Sequence, residues 1–206
     1  RVLVACEFSG VVRDAFLKRG HDAWSCDLLP SESPLSKHHK KEPGTWRHFY
    51  TDVQLLVGAG GDTPFDRRWD LVIAHPPCTY LAVSGARWFS TRRAEQDQAL
   101  DFVRWLMARD VPRLCLENPI GVISTRIRKP DQIIQPWQFG HGETKATCLW
   151  LRGLPLLCPT NIVSGRSPRI HREPPSPDRW KRRSRTYQGI ADAMADQWGG
   201  LAPEAS

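Results

Sequence analysis

Short apolar runs and amphipathic stretches alternate along the first 119 residues of the chain. Four mostly apolar runs of four or five residues predict buried strands, at residues 2–5, 23–26, 70–74 and 113–116. Apolar positions at helical spacing predict a helix after the first run and another before the last, at residues 11–19 and 91–109. Because strands joined by helices form parallel βαβ units, we expect an α/β fold.

Three other segments connect these elements. Residues 29–45 contain three prolines and a Lys-His-His-Lys-Lys run, which predict a mobile, basic surface loop. Residues 49–52 predict a short strand end, followed by a helical stretch through residue 57, and residues 58–64 predict a turn-rich connection.

The alternation fades after residue 120. Residues 121–183 are rich in Pro, Gly, Arg and Trp, which predicts a small irregular lobe. A closing helix is predicted over residues 188–198. The sequence therefore predicts a regular first part, an irregular second part and a helix that returns to the first.

The chain is basic, with 29 Lys and Arg against 22 Asp and Glu and a formal net charge of +7. These basic residues are densest over residues 166–185, which favours a polyanionic partner, although basic proteins need not bind nucleic acid. No apolar run has the length of a membrane span and no signal-peptide pattern opens the chain. We therefore expect a cytoplasmic protein without a membrane partner.

Six cysteines lie far apart in the sequence, and none of them forms a Cys-x-x-Cys pair. This spacing argues against a zinc ribbon, and a chain of this size without secretory features does not favour a disulfide framework. We expect free thiols and no bound metal.

The candidate catalytic and ligand-binding residues come directly after the carboxyl ends of the predicted strands. The carboxyl ends of parallel strands share one edge of the sheet, and ligands bind at that edge. The tight turn that ends at Gly10 can present backbone N–H groups to an anionic ligand. A carboxylate at Asp27 can accept hydrogen bonds from two ribose hydroxyls. The alternative interpretation is a structural turn followed by an ordinary strand-end aspartate.

The segment His75-Pro76-Pro77-Cys78 ends the clearest predicted strand. Two consecutive prolines cannot continue a sheet ladder, and they fix a rigid loop. The side chain that this loop presents is a thiol, which is a strong nucleophile when deprotonated. Cys78 is therefore a candidate nucleophile, and the alternative is a buried structural cysteine.

The segment Glu117-Asn118-Pro119 ends the next predicted strand. A glutamate at the bottom of a pocket can be held protonated by desolvation, and it can then donate a proton to a ring nitrogen. The alternative is a helix-capping or ion-paired glutamate.

Taken in order, these motifs resemble those of the C5-cytosine DNA methyltransferase family, especially small phage-encoded members with the His-Pro-Pro-Cys form. The segment from Val4 to Gly10 is similar to the family's cofactor turn, and Pro77-Cys78 is similar to its nucleophile motif. The other matching positions are Asp27 and Asp52 as strand-end acids, Glu117-Asn118 as the Glu-Asn pair, and Ala191-Asp192 in the closing helix, where the family usually has Gly-Asn.

The resemblance implies a Rossmann-like, S-adenosylmethionine-dependent methyltransferase sheet with a small irregular DNA-binding lobe. Residues 1–120 would form the S-adenosylmethionine-binding catalytic domain, residues 121–183 the lobe for target recognition, and residues 184–206 the closing segment. It implies a monomer acting on DNA in a bacterial or phage-infected cell. Cys78 would attack a cytosine flipped out of the duplex.

Site residues follow from the resemblance and from the basic stretch. The expected catalytic residues are Cys78, Glu117, and Arg166 and Arg169 as candidates for contact with the base oxygen O2. The expected cofactor contacts are Cys6, Glu7, Phe8, Ser9, Gly10, Asp27, Leu28, Asp52, His75, Pro76, Ala191 and Asp192. The expected DNA contacts are Trp137, Lys145, Lys181, Arg182, Arg183 and Arg185, together with Arg166 and Arg169.

Four other functions are consistent with parts of the sequence. An amino-group DNA methyltransferase carries Asp, Asn or Ser before Pro-Pro and an aromatic residue after it, where this chain has His75 and Cys78. A zinc deaminase would explain His141-Gly142-Glu143, but its Pro-Cys-x-x-Cys element is missing. A non-catalytic nucleic-acid-binding module would explain the nine Trp and the basic stretch. The same methyl-transfer chemistry could also act on free cytidine nucleotides.

Overall fold

A computed structural model describes residues 1–37, 47–57 and 68–201 of the chain. One seven-stranded sheet runs through it, in the order β3-β2-β1-β4-β5-β7-β6. The strands are β1 (Val2–Ala5), β2 (Ala23–Asp27), β3 (His48–Tyr50), β4 (Leu71–Ala74), β5 (Arg113–Pro119), β6 (Gln132–Ile134) and β7 (Thr147–Arg152).

The first five strands are parallel, and β1 lies between β2 and β4. Strand β7 pairs antiparallel with β5, and β6 pairs antiparallel with β7. The order 3-2-1-4-5 has a topological switch point at β1, where ligands bind outside the carboxyl ends of the strands. The predicted Rossmann-like α/β fold is confirmed.

Seven α-helical segments accompany the sheet among the described residues. They are α1 (Val11–Lys18), α2 (Pro34–Lys37), α3 (Arg93–Met107), α4 (Ile123–Arg126), α5 (Arg169–Arg172), α6 (Arg179–Ser184) and α7 (Gln188–Gly199). In the part of the chain that the structure covers, no helix is long and apolar enough to cross a bilayer.

Alternating side chains of the strands build two cores, one on each face of the sheet. Val2 and Val4 of β1 pack with Phe16 of α1 and Trp198 of α7. Leu3 points to the opposite face, where the core includes the apolar side of α3, at Leu100, Val103 and Leu106. The period-two alternation along β1 thus divides the helices between the two faces.

The structure corrects the prediction that residues 121–183 are irregular throughout. This range contributes β6 and β7 to the sheet, and Cys148, Leu149 and Trp150 of β7 are almost completely buried. The apolar run from Thr147 to Leu151 has the character of a buried strand, and its surroundings of Gly and Pro obscured it. Residues 153–168 contain no helix and no strand of the sheet.

The predicted mobile loop over residues 29–45 also needs correction where it is described. Pro34–Lys37 forms α2, and the Ser33 hydroxyl accepts a hydrogen bond from the Leu35 N–H at 3.1 Å. A capping serine followed by proline at the first helical position is a helix-start signal. The Lys-His-His-Lys-Lys run beyond Lys37 and the predicted connection at residues 58–64 lie outside the described residues.

Candidate active site

Two cavities meet at the carboxyl edge of the sheet, where the turns after β1, β2, β4 and β5 converge. The smaller has a volume of about 90 Å³ and contains Glu7, Glu117 and Lys145 in its wall. The larger has a volume of about 540 Å³ and contains Asp27, Asp52 and Phe102. The residues that line both cavities are Cys6, Phe8, His75, Pro77, Cys78 and Ser184.

The turn after β1 is held by the carboxylate of Glu7. Its Oε1 accepts the Val12 N–H at 2.7 Å, and its Oε2 accepts the Arg13 N–H at 3.2 Å, so Glu7 caps the start of α1. Gly10 has a φ of 74°, and a Cβ there would lie 2.7 Å from the Cβ of Ser33. Glu7 and Ser9 line the smaller cavity, and Gly10 lines neither cavity. The predicted contact of these three residues with a cofactor stays a prediction.

The larger cavity combines carboxylates with aromatic surface. Asp27 ends β2, and its Oδ1 accepts the Leu29 N–H at 2.9 Å; burial raises the pKa of this carboxyl. Asp52 caps the short 3-10 helix at Val53–Leu55 through the Gln54 N–H, at 2.9 Å, and remains exposed. Leu28 also lines this cavity, as do the rings of Phe8, Phe102 and Trp180. The cavity can therefore accept hydroxyl or amino donors beside a flat ring.

The segment from His75 to Cys78 is held by hydrogen bonds from three directions. The His75 N–H donates to the Ala5 carbonyl at 2.9 Å, which extends β4 along β1. The Asn118 amide donates to the Pro76 carbonyl at 2.7 Å. The Leu81 and Ala82 N–H groups donate to the Cys78 carbonyl at 3.0 and 2.9 Å. Hydrogen bonds thus fix the His75 N–H and the Pro76 and Cys78 carbonyls of the loop that the two prolines predict to be rigid.

The Cys78 thiol lies in the wall between the two cavities. Burial raises its pKa, and the neighbouring Glu117 carboxylate raises it further. The positive charges of Lys145 and Arg183 act in the opposite direction. Any change that brings positive charge closer, or that moves Glu117 charge away, favours the thiolate.

Glu117 forms a buried pair with His75. The Nδ1 of His75 lies 3.0 Å from Oε2 of Glu117, and the two side chains are only 10% and 14% exposed. Burial alone would raise the pKa of Glu117, but the hydrogen bond and charge of His75, together with Lys145, lower it overall. This geometry corresponds to the ion-paired alternative for Glu117, with an imidazole 42 residues away in sequence as the partner.

The positive charge at the smaller cavity does not come from the two arginines that the sequence suggested. Arg166 stacks over the Trp137 ring at 3.8 Å, and Arg169 forms an ion pair with Glu143; neither residue lines the two cavities. The lining cations are Lys145, Arg183 and Arg185. The structure therefore places Arg166 and Arg169 away from the smaller cavity, and their contact with a base stays a prediction without support from this geometry.

In the predicted DNA-contacting run at residues 181–183, two side chains pair with glutamates and the third lines the smaller cavity. Lys181 lies 3.2 Å from Glu32, Arg182 forms an ion pair with Glu173, and Arg183 lines the smaller cavity. Preceding it on α6, Trp180 packs against Phe8 with ring centroids 5.7 Å apart. This segment therefore covers both cavities, which the sequence pattern did not indicate.

Two further predicted cofactor contacts lie away from the site. Ala191 is completely buried in the core that α1 and α7 share. Asp192 forms an ion pair with Arg19 at 3.3 Å. The close packing of α7 on α1 turns these positions toward α1, and neither residue lines the two cavities.

Comparisons with known proteins gave likenesses of structure only. No family model matches the chain, and no curated protein matches it in sequence. One similar structure, described as a candidate DNA modification methyltransferase encoded within an Escherichia coli prophage, has a TM-score of 0.49 and 15% identity over 79% of this chain. An rRNA methylase from Escherichia coli has a TM-score of 0.39 and 15% identity over 74% of this chain. The chain spans about half the length of these proteins, 51% and 56% respectively.

Metal and disulfide chemistry find no support in the described part of the chain. No group of three or more His, Cys, Asp and Glu side chains there is placed to hold a metal ion. All six cysteines have free thiols. Cys78 differs from the buried Cys26, Cys115 and Cys148 because it is only partly buried and lines both cavities.

Sequence reasoning missed three features of the site. Phe102 and Trp180, which line the larger cavity, lie on helices whose aromatic residues show no distinguishing pattern. Lys145 was assigned to the DNA surface but lines the smaller cavity, and its position two residues before β7 would have indicated this if β7 had been recognised. The pairing of His75 with Glu117 has no local sequence signal.

Proposed function

We propose that this chain transfers a methyl group from S-adenosylmethionine to carbon 5 of cytosine in DNA, with Cys78 as the nucleophile. One observation carries the proposal: Cys78 lies in the wall between a cavity lined by Glu117 and a larger cavity lined by Asp27 and Asp52. A nucleophile in that position can reach a base in the first cavity while a methyl donor occupies the second.

The larger cavity fits the proposed cofactor in size and in its chemical groups. Its volume of about 540 Å³ lies within the range of small-molecule sites. The strand-end carboxylate of Asp27 suits ribose hydroxyls, and the rings of Phe8, Phe102 and Trp180 suit an adenine. When bound there, S-adenosylmethionine supplies an electrophilic methyl group.

The residues of the smaller cavity suit the activation of cytosine. Carbon 5 of cytosine is a poor nucleophile until a thiolate adds to carbon 6 and makes it enamine-like. Burial and Glu117 raise the pKa of Cys78 overall, and Lys145 and Arg183 oppose that rise and so favour the thiolate. Glu117 would pair with ring nitrogen N3, where charge changes during the addition. After methylation, solvent takes the proton from carbon 5, its bonding electrons form the 5,6 double bond again, and the Cys78 sulfur leaves as a thiolate, which restores the aromatic ring.

DNA is the proposed substrate because the cavity opens beside basic side chains. The chain has a net charge of +7, and Arg183 and Arg185 line the smaller cavity. Carbon 6 of a stacked cytosine is not accessible to an attacking thiol, so the base must be flipped into the cavity. Residues 121–183 supply Lys145 and α6 at this edge of the sheet, which agrees with a role of that range in holding the duplex.

A transfer assay with radiolabelled S-adenosylmethionine tests the proposed function. We expect label in DNA, and nucleoside analysis should find it as 5-methylcytosine. Label as N4-methylcytosine or N6-methyladenine would indicate an amino-group methyltransferase, and label in cytidine nucleotides but not in DNA would contradict the proposed substrate. DNA binding without transfer of label would indicate a non-catalytic module.

The change Asp27→Ala should weaken S-adenosylmethionine binding about tenfold or more. Loss of charge-assisted hydrogen bonds to two hydroxyls costs on the order of 1.5–3 kcal/mol. Isothermal titration calorimetry measures the dissociation constant directly. Asp101→Ala is the control, because Asp101 is an exposed residue of α3 paired with Arg104. An unchanged affinity in Asp27→Ala would mean that this carboxylate only ends β2.

Replacement of Lys181, Arg182 and Arg183 by glutamine should make the salt dependence of DNA binding shallower. Each phosphate contact contributes about 0.9 to the slope of log affinity against log salt concentration. Fluorescence anisotropy at a series of salt concentrations gives the slope. The variant with Lys18→Gln and Arg104→Gln, which loses exposed charge on α1 and α3, should keep the original slope. An equal slope in the wild type and the triple variant would remove the run from the proposed DNA surface.

A further inference from the structure

Within the described parts of the chain, the His75 side chain makes one hydrogen bond, to Glu117. Its Nδ1 lies 3.0 Å from Oε2 of Glu117, and the other ring nitrogen, Nε2, is buried without a hydrogen-bond partner in those parts. The backbone of His75 is fixed to β1 through the Ala5 carbonyl. The imidazole therefore has one defined orientation, with one nitrogen directed at the carboxylate.

We propose that His75 holds the proton that Glu117 presents to ring nitrogen N3 of the bound cytosine, so that the two side chains act as a single acid. The inference rests on the proposed function of the site. His75 acts through Glu117 and is a positioning residue, since the contact with the base is made by the carboxyl group.

The charges around His75 favour a proton on this pair. Burial acts to lower the pKa of His75, but the hydrogen bond and the negative charge of Glu117, with a further contribution from Glu7, raise it overall. The carboxyl of Asp27 also interacts with the imidazole, and Lys145 opposes its protonation. The charged and titratable groups that face this imidazole are Glu117, Glu7, Asp27 and Lys145, with Cys78 on the same loop.

The pair gives up one proton in the addition step. The Cys78 thiol loses its proton to solvent, and the thiolate sulfur forms a bond to carbon 6. The π electrons of the 5,6 double bond shift toward carbon 4, and those of the bond between carbon 4 and N3 move onto N3. N3 takes the proton of the pair, which leaves a neutral imidazole and a Glu117 carboxylate. When sulfur leaves after methylation, the proton on N3 returns to the pair. This arrangement lets Glu117 stay ionised in the unliganded protein and still supply a proton to the base.

Nuclear magnetic resonance titration of the histidine rings tests the first part of this inference without any activity measurement. The His75 signals are assigned by their loss in His75→Gln. We expect a His75 pKa above the ordinary value of about 6.5. In Glu117→Gln it should fall by about 1–3 pH units, because burial and Lys145 then dominate. A wild-type value at or below the ordinary one would overturn the inference, whatever the reaction of the protein is.

The pH profile of methyl transfer tests the second part. His75→Gln keeps an N–H donor toward Glu117 but has no proton that dissociates in the working pH range. His75→Leu has neither a donor nor a dissociable proton. In both variants the alkaline fall of kcat/KM should move down by at least about one pH unit, because the carboxyl then titrates in place of the imidazole. A His75→Gln profile equal to that of the wild type would assign His75 a structural role. Formation of 5-methylcytosine by the wild type would still support the proposed function in that case.

Discussion

The change Cys78→Ser should lower methyl transfer to DNA about a thousandfold or more while S-adenosylmethionine binding stays intact. The serine hydroxyl occupies almost the same space, but it is a far weaker acid and nucleophile than the thiol, and loss of a nucleophile typically removes most of the catalytic rate. The rate of label transfer measures the first effect, and calorimetric titration measures the second.

The control for this change is Cys158→Ser. Cys158 is exposed and lies outside both cavities, so its replacement should leave the transfer rate unchanged. Circular dichroism of both variants checks that the fold is retained. A Cys78→Ser rate within about tenfold of the wild-type rate would exclude Cys78 as the nucleophile.

The change Glu117→Gln should lower kcat by about a hundredfold to a thousandfold with a smaller effect on KM. The variant keeps the shape of the side chain but cannot deliver a proton to N3, and loss of one group that stabilises developing charge has an effect of this size. Since the contact strengthens during the addition, its loss should appear mainly in kcat.

Glu143→Gln provides a matched control for Glu117→Gln. Glu143 also carries hydrogen bonds, from Arg169 and from the Tyr187 hydroxyl, but it lies outside both cavities. Its replacement should leave kcat unchanged. A Glu117→Gln variant with the wild-type kcat would mean that Glu117 serves only to orient His75.

The strands that build the site could be predicted from local pattern, since each has a short, continuous apolar run that ends in a polar or proline-rich turn. Val2–Ala5 is a strand over the predicted range, and the strands that end near Asp27 and Cys78 begin and end close to their predicted limits. Parallel pairing then brings their carboxyl ends to one edge, so the meeting of Cys78 with Glu117 follows from topology alone.

What could not be predicted depends on contacts between distant residues. The charge state of Glu117 depends on His75, and the cations of the smaller cavity come from the residues before β7 and from α6. The resemblance and the basic stretch marked Arg166 and Arg169 as candidates, but their partners are Trp137 and Glu143. The sequence shows that a charged side chain is present, but only the fold shows which side chain it contacts.

The most direct test of the central claim is covalent trapping of the protein on double-stranded DNA in which the cytosines carry fluorine at carbon 5. Because fluorine cannot leave carbon 5 as a proton does, methyl transfer should stop at the stage where the Cys78 sulfur is bonded to carbon 6. Mass spectrometry should find the protein linked to methylated DNA through Cys78 when S-adenosylmethionine is present, and no link in Cys78→Ser. If the wild-type protein methylates ordinary DNA but forms no adduct with the fluorinated DNA, the covalent mechanism through Cys78 is contradicted.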